Sequence, residues 1–296
     1  MSASPGASGT GQSALRPSGL HSPVPAGPAL HPGAVLQSFW SHRYLVLQLA
    51  RRDVLGRYRG SSLGLVWALL TPLLSLATFT FVFGTIFQSR WGVDVGSKSH
   101  FALVLFTGLI AYNFFSEALN RAPSLVLENV TYVKRTLFPL EVLPWVATLS
   151  GLFHAALSAT VLVAAYVLLV GVPPASALLI PLLFVPLALV VTGISWFLAS
   201  VGVYLRDLKQ FVPVLMTLVL FLSPVFYPLS AVPESFRSVV GLNPLSWIVE
   251  QSRAALFAGQ PPDLRGFVVA IAAGWISAWL GLVWFQRTRK GFADVV

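Results

Sequence analysis

The sequence predicts an all-α integral membrane protein, and three observations carry that class. Hydrophobic residues make up 56% of the 296 and charged residues only 10%, where a soluble domain runs near about 25% charged. Six apolar stretches have the length needed to cross a bilayer core of about 30 Å at about 1.5 Å per helical residue. Lys and Arg collect in alternate connections between those stretches, as in multi-pass membrane proteins. Cysteine is absent, which excludes disulfide frameworks, thiolate metal sites and cysteine nucleophiles.

Residues 1–33 are dominated by Gly, Ser, Pro and Ala, with Arg16 their single basic residue and no apolar run that would form a signal-peptide core. They read as a disordered cytoplasmic tail. Residues 34–60 read as an amphipathic interface helix, because at 100° per residue Leu36, Trp40, Tyr44, Leu47, Val54 and Tyr58 fall in one stripe. Arg43 and Arg51 share the stripe, where long stems stay in apolar surroundings and guanidinium groups reach the headgroups. A short docking helix facing water is the other reading of this segment.

A six-helix domain follows over 61–290, with spans near 63–87, 101–119, 145–170, 176–203, 211–229 and 266–286, and 291–296 form a cytoplasmic C-terminal tail. Pro72, Pro181, Pro186, Pro213 and Pro224 lie in spans, which predicts kinks that neighbouring helices compensate. Small residues recur every fourth position at Gly151, Ala155 and Ala159, and at Ala270, Gly274 and Ala278. Such rows let helices approach closely and read as packing surfaces. With the N-terminus in the cytoplasm, 14 of the 19 Lys and Arg fall on the inner side. The net charge of +9 is therefore a topology signal, and nucleic-acid binding is not needed to explain it.

Two connections are too long for plain turns. The inner one, 121–144, has Pro123 and Ser124 at a helix start, an apolar run through Val133, then Lys134 and Arg135. It predicts a short helix along the membrane surface. The outer one, 230–263, predicts two short helices, the second opening at Asn243 and Pro244 as N-cap and first helical residue. That second helix is apolar but too short to span, so it dips into the outer interface.

No Gly-Lys pair occurs, so the Gly-rich phosphate loop of nucleotide hydrolases is missing. The five histidines, His21, His31, His42, His100 and His154, lack metal-ligand spacing. No Gly-x-Ser-x-Gly turn exists, and Ser195 reads as a small packing residue. No catalytic residue, metal site or cofactor is assigned to this chain. Charge is nearly absent from the spans; Glu117 and Glu141 fall near span ends where interfacial water would solvate them. His154, inside a span, reads as a hydrogen-bonding partner of a neighbouring helix rather than a proton relay. Phe79, Phe83 and Phe87 share one face of the first span. Such rings suit contact with sugar faces or a lipid chain, and equally suit lipid-facing bulk; the sequence leaves both readings open.

Several segments together resemble one family. Arg57-Tyr58-Arg59-Gly60-Ser61-Ser62-Leu63-Gly64-Leu65-Val66-Trp67 with Thr71-Pro72-Leu73 is similar to the entry of the first span in ABC-2 type permeases that export polysaccharides, polyol phosphates and related surface polymers. Val133-Lys134-Arg135 with Phe138-Pro139 and Leu143-Pro144, the Arg206-Asp207 step, Ser223-Pro224-Val225-Phe226-Tyr227 and Leu242-Asn243-Pro244 extend the resemblance over about residues 35–290. It implies a homodimeric permease joined to two copies of a separate ATP-binding subunit, which binds the ATP and Mg. Ser124, Leu127, Glu128, Tyr132, Lys134 and Arg135 would then form a coupling element docked in that subunit. Lys134 and Arg135 would equally suit the phosphate of a lipid or of a lipid-linked substrate.

On the same reading Trp67, Phe79, Phe83, Phe87, Phe221, Phe226 and Tyr227 line the path of a lipid-linked glycan. Glu234, Asn243, Pro244, Trp247 and Glu250 belong to an outer gate. The chain would lie in the bacterial inner membrane with both termini cytoplasmic. Two other transport readings stand beside it, an ABC-2 permease for a small drug or lipid and an ion-coupled carrier. A membrane glycosyltransferase would need an acidic metal-binding loop, for which the lone Asp94 is a poor candidate.

Overall fold

The computed structural model describes residues 31–82, 98–133 and 138–295, and all regular elements among them are helices. In chain order these are α1 (Ala34–Ser41), α2 (Arg43–Arg57), α3 (Val66–Phe79), α4 (Lys98–Arg121), α5 (Val130–Val133), α6 (Val142–Leu169), α7 (Ile180–Tyr204), α8 (Leu208–Leu222), α9 (Glu234–Leu242), α10 (Pro244–Phe257), α11 (Leu264–Thr288) and α12 (Phe292–Val295). Among the described residues four segments are long and apolar enough to cross a membrane: His100–Ser124, Val142–Leu169, Ala175–Tyr204 and Leu264–Gly291. Val66–Val82 and Leu208–Leu222 are apolar but shorter.

The fifth span was expected over 211–229, yet α8 stops at Leu222. Pro224 disfavours helical backbone at the residue before it, and Ser223 is extended at φ −95° and ψ 148°. Pro72, Pro186 and Pro213 lie inside α3, α7 and α8 and do not end them.

Helix α4 is the axis of the bundle: Leu103, Leu105, Phe106, Ala118 and Leu119 are fully enclosed by α3, α6, α7, α8 and α10. On α6, Gly151 meets the Phe114 ring of α4, and Ala155 is buried beside it. The closest pair is α7 with α11. A Cβ on Gly281 would strike the Gly193 carbonyl, and one on Gly274 would stand 2.7 Å from the Pro186 carbonyl. Backbone thus lies on backbone, and the row through Gly274 and the buried Ala278 is the packing surface. Between α6 and α7 the buried hydroxyls of Thr148 and Thr192 pair at 2.9 Å.

The predicted single interface helix is two helices with a break at His42, whose backbone leaves helical geometry at φ −116° and ψ 14°. The expected stripe runs across this break and divides later, within α2. Leu36, Trp40, Tyr44 and Leu47 face outward, whereas Val35, Val46, Ala50 and Val54 turn inward against the bundle. Ser38 anchors α1 by accepting the Trp145 indole proton at 3.1 Å.

Candidate functional site

The two ends of the bundle carry different chemistry. At the end formed by α2, the C-terminus of α4 and the end of α11, three ion pairs join segments far apart in sequence. Arg121 donates from both guanidinium nitrogens to Asp53 at 2.8 and 2.7 Å. Arg57 meets Glu117 at 2.7 Å, and Arg289 donates to Glu141 at 2.9 Å. His154 stands 2.9 Å from Glu117 and 3.1 Å from the Tyr58 hydroxyl; with its proton on Nδ1 the ring donates to the carboxylate and accepts from Tyr58. Beyond the interfacial position the sequence suggests, Glu117 and Glu141 are largely enclosed by these cations and anchor α2 and α11. Interfacial position read from span ends alone misses a cation arriving from another element.

Burial works against ionisation of Asp53, but the hydrogen bonds and charge of Arg121 outweigh it and hold the carboxyl below its usual range. The sign follows: this pair stabilises the docked α2 above the ordinary carboxylate range and loses its contribution as pH falls through the lowered value. Asp53→Asn and Arg121→Gln are each expected to lower the unfolding midpoint of the protein in detergent. The reciprocal exchange Asp53→Arg with Arg121→Asp is expected to recover about 1 kcal/mol of coupling in a double-mutant cycle.

Between α4 and α6, the inner connection was expected to be one surface helix. Instead it is a chain of tight turns, Ala122–Ser124 and Leu127–Asn129, followed by the single turn α5. Ala122, Pro123, Ser124, Leu125 and Val126 are buried, because Gly202 of α7 lets the Pro123 backbone rest on the helix where any Cβ would strike the Pro123 carbonyl. Of the expected coupling residues, Ser124 is buried and donates to Glu128 at 2.7 Å. Glu128 is exposed, and Leu127 and Tyr132 are half-buried. Arg52 of α2 donates to the Tyr132 hydroxyl at 2.9 Å, and the Tyr132 ring stacks on Phe138 at 4.2 Å. Lys134 and Arg135 lie outside the described residues. The segment is thus held at its start by α7, in its middle by α2 and beyond it by Glu141 on Arg289.

At the opposite end, α10 grips the break that follows α8. Asn243 caps α10 by accepting from the Leu245 amide at 3.0 Å, with Pro244 in the first turn. The Asn243 side-chain amide also donates to the Ser223 hydroxyl at 2.8 Å. Glu250 accepts from the Leu229 amide at 3.3 Å. The buried Arg253 donates to the carbonyls of Val104 on α4 at 3.1 Å and of Pro224 and Val225 at 2.6 Å each. Two carbonyls freed by the chain break, those of Pro224 and Val225, and one carbonyl of α4 are joined by one guanidinium fork. Sequence reading counted Arg253 only as an outer-loop charge; its place inside an apolar helix, three residues after Glu250, was the available signal. Trp247 packs over Gly266 and near Phe267 at the start of α11, while Glu234 is exposed and 3.8 Å from Arg237.

The expected path aromatics do not form one continuous line. Phe79 and Phe226 pack together against Phe101, Leu105, Leu109 and Val225. Phe221, 63% exposed, lies 5.8 Å from the Phe226 ring, and the Tyr227 hydroxyl donates to the Phe221 carbonyl at 3.0 Å. Trp67 sits at the other end of α3, about 18 Å away along the helix. Phe83 and Phe87 lie outside the described residues. Between these ends α3 and α8 leave long apolar faces uncovered, including Leu73 and Leu74 on α3 and Phe211, Val214 and Leu218 on α8. Among the described residues no group of His, Cys, Asp and Glu is arranged to hold a metal ion.

A model of the ABC-2 type transporter family matches residues 44–257. The chain is similar to the O-antigen export system permease protein RfbA of Myxococcus xanthus, 25% identical over 264 residues that cover 88% of this chain and 99% of that protein. Its likeness to an O-antigen export system permease protein RfbA of Klebsiella pneumoniae is 24% over 254 residues, 85% of this chain and 95% of that one. The polysialic acid transport protein KpsM of Escherichia coli is 26% identical over 222 residues, 75% and 84% of the two chains.

Proposed function

The chain belongs to the ABC-2 type transporter family, and from that premise we propose that it is the membrane permease subunit of an ATP-driven exporter of a lipid-linked polysaccharide or related surface polymer. The observation that carries this reading is the likeness to O-antigen export permeases along 99% of one relative's length. The chain has no Gly-rich phosphate loop ending in Gly-Lys, so ATP and Mg are bound by a separate subunit, of which two copies join two copies of this permease.

In this account α3 and α8 complete a six-span topology with both termini in the cytoplasm of a bacterial inner membrane. Their uncovered apolar faces meet the second permease copy, and the glycan passes between the copies along Phe79, Phe221 and Phe226. The turns from Ala122 to Val133 receive the stroke of the ATP-binding subunit. Because Gly202 seats these turns on α7 and Arg52 ties Tyr132 to α2, a push on them moves α7 and the interface helices together. At the far end, α9 and α10 gate the exit, with α10 tied to the end of α8 through Asn243 and Arg253.

Co-expression with a candidate ATP-binding subunit, followed by purification and ATP hydrolysis assays, tests the proposal. The expected result is a stoichiometric complex whose hydrolysis rises with lipid-linked glycan. A complex stimulated only by a small drug or lipid would move the cargo to that class, and the absence of any ATP-binding partner under mild extraction would overturn the reading.

A further inference from the structure

The glycine contacts between α7 and α11 leave a groove of about 410 Å³ on the outside of the bundle, walled by Ile194, Phe197, Leu280 and Trp284 and ending at Arg287. Gly193 and Gly281 form its floor, since neither projects a side chain and their backbones touch. Phe197 and Trp284 stand at its mouth with rings 5.5 Å apart, 43% and 45% exposed. From Ser277 to Arg287 the helix rises about 15 Å, half of a bilayer core of about 30 Å. The walls are apolar, which suits a hydrocarbon chain and no polar solute.

The charge at one end selects the headgroup. Arg287 is exposed and, among the described residues, takes no carboxylate partner, whereas Arg57, Arg121 and Arg289 at the same end are all paired. A guanidinium fork matches a phosphate diester in geometry and charge, and a basic pocket between spanning helices on the cytoplasmic side attracts acidic lipid headgroups. We propose that the groove between α7 and α11 binds one anionic phospholipid, its phosphate on Arg287 and an acyl chain along Phe197 and Trp284. The proposal rests on the orientation given above, with this end of α11 in the inner leaflet.

The test is native mass spectrometry of the purified complex with its ATP-binding subunit, after delipidation and addition of phosphatidylglycerol or phosphatidylcholine. The wild type is expected to retain phosphatidylglycerol at least about tenfold more strongly, and Arg287→Gln to lose that preference. Arg287→Lys keeps the charge and is expected to keep the lipid, which separates lost binding from lost fold. Leu280→Trp, which fills the groove from an exposed position, is expected to exclude both lipids. Equal retention of the two lipids by the wild type, or undiminished phosphatidylglycerol on Arg287→Gln, would overturn the proposal. Because the chain has no cysteine, Lys290→Cys reports orientation separately: labelling from the cytoplasmic side is expected, and labelling from outside would overturn the orientation itself.

Discussion

Arg253→Leu is expected to abolish export and to lower the unfolding midpoint of the purified complex more than any single change to an exposed charge. The guanidinium donates to the carbonyls of Val104, Pro224 and Val225, and Leu would leave the two outside helices, Pro224 and Val225, without that donor. At about 1–3 kcal/mol for each buried group left unsatisfied, the loss is of order 2 kcal/mol or more. It also releases α10 from the end of α8, the joint of the proposed outer gate. Gly108 fits the same contact, since a Cβ there would stand 2.9 Å from the Arg253 guanidinium. Arg253→Lys is expected to recover part of the stability and little of the export, because one ammonium cannot span three carbonyls. Unfolding midpoints and glycan export measured on the same preparations check both parts. Wild-type export by Arg253→Leu would show that the joint does not matter to transport.

Gly202→Val is expected to uncouple ATP hydrolysis from export. The Cβ of any residue at 202 would strike the Pro123 carbonyl, so the turns from Ala122 to Ser124 must leave α7. Overpacking of this kind costs about 1–3 kcal/mol, but the functional loss is larger because the displaced segment is the proposed contact with the ATP-binding subunit. The expected readout is export reduced at least about tenfold with hydrolysis no longer raised by glycan, a change of about 1.4 kcal/mol in coupling. Gly56→Ala is the control. Its Cβ meets nothing within 4 Å, and in α2 the change is expected to stabilise the helix by up to about 1 kcal/mol without altering export.

The membrane class was legible because spanning helices announce themselves by composition and length, which depend on the solvent and not on tertiary partners. Four long helices lie where apolar runs placed them, within a few residues, as at Val142–Leu169 and Leu264–Gly291. Packing rows were legible too, since small residues four apart such as Gly274 and Ala278 in a span favour close approach. The inner connection was read as a helix because its apolar residues cluster, but clustering does not distinguish a helix on a membrane from turns pressed onto Gly202. Ion pairs such as Asp53 with Arg121, 68 residues apart, carry no local signal at all. The interface stripe misled for a related reason: periodicity assigns one face, whereas Val54 near the end of α2 packs inward while Leu36, Trp40, Tyr44 and Leu47 face outward.

Transport itself tests the account most directly. Inside-out vesicles holding the permease, its ATP-binding subunit and lipid-linked glycan should move glycan to the lumen when ATP is added, and should stop when the partner's hydrolytic site is inactivated. Export that continues with the inactivated partner but collapses under an uncoupler would contradict the account and make the protein an ion-coupled carrier.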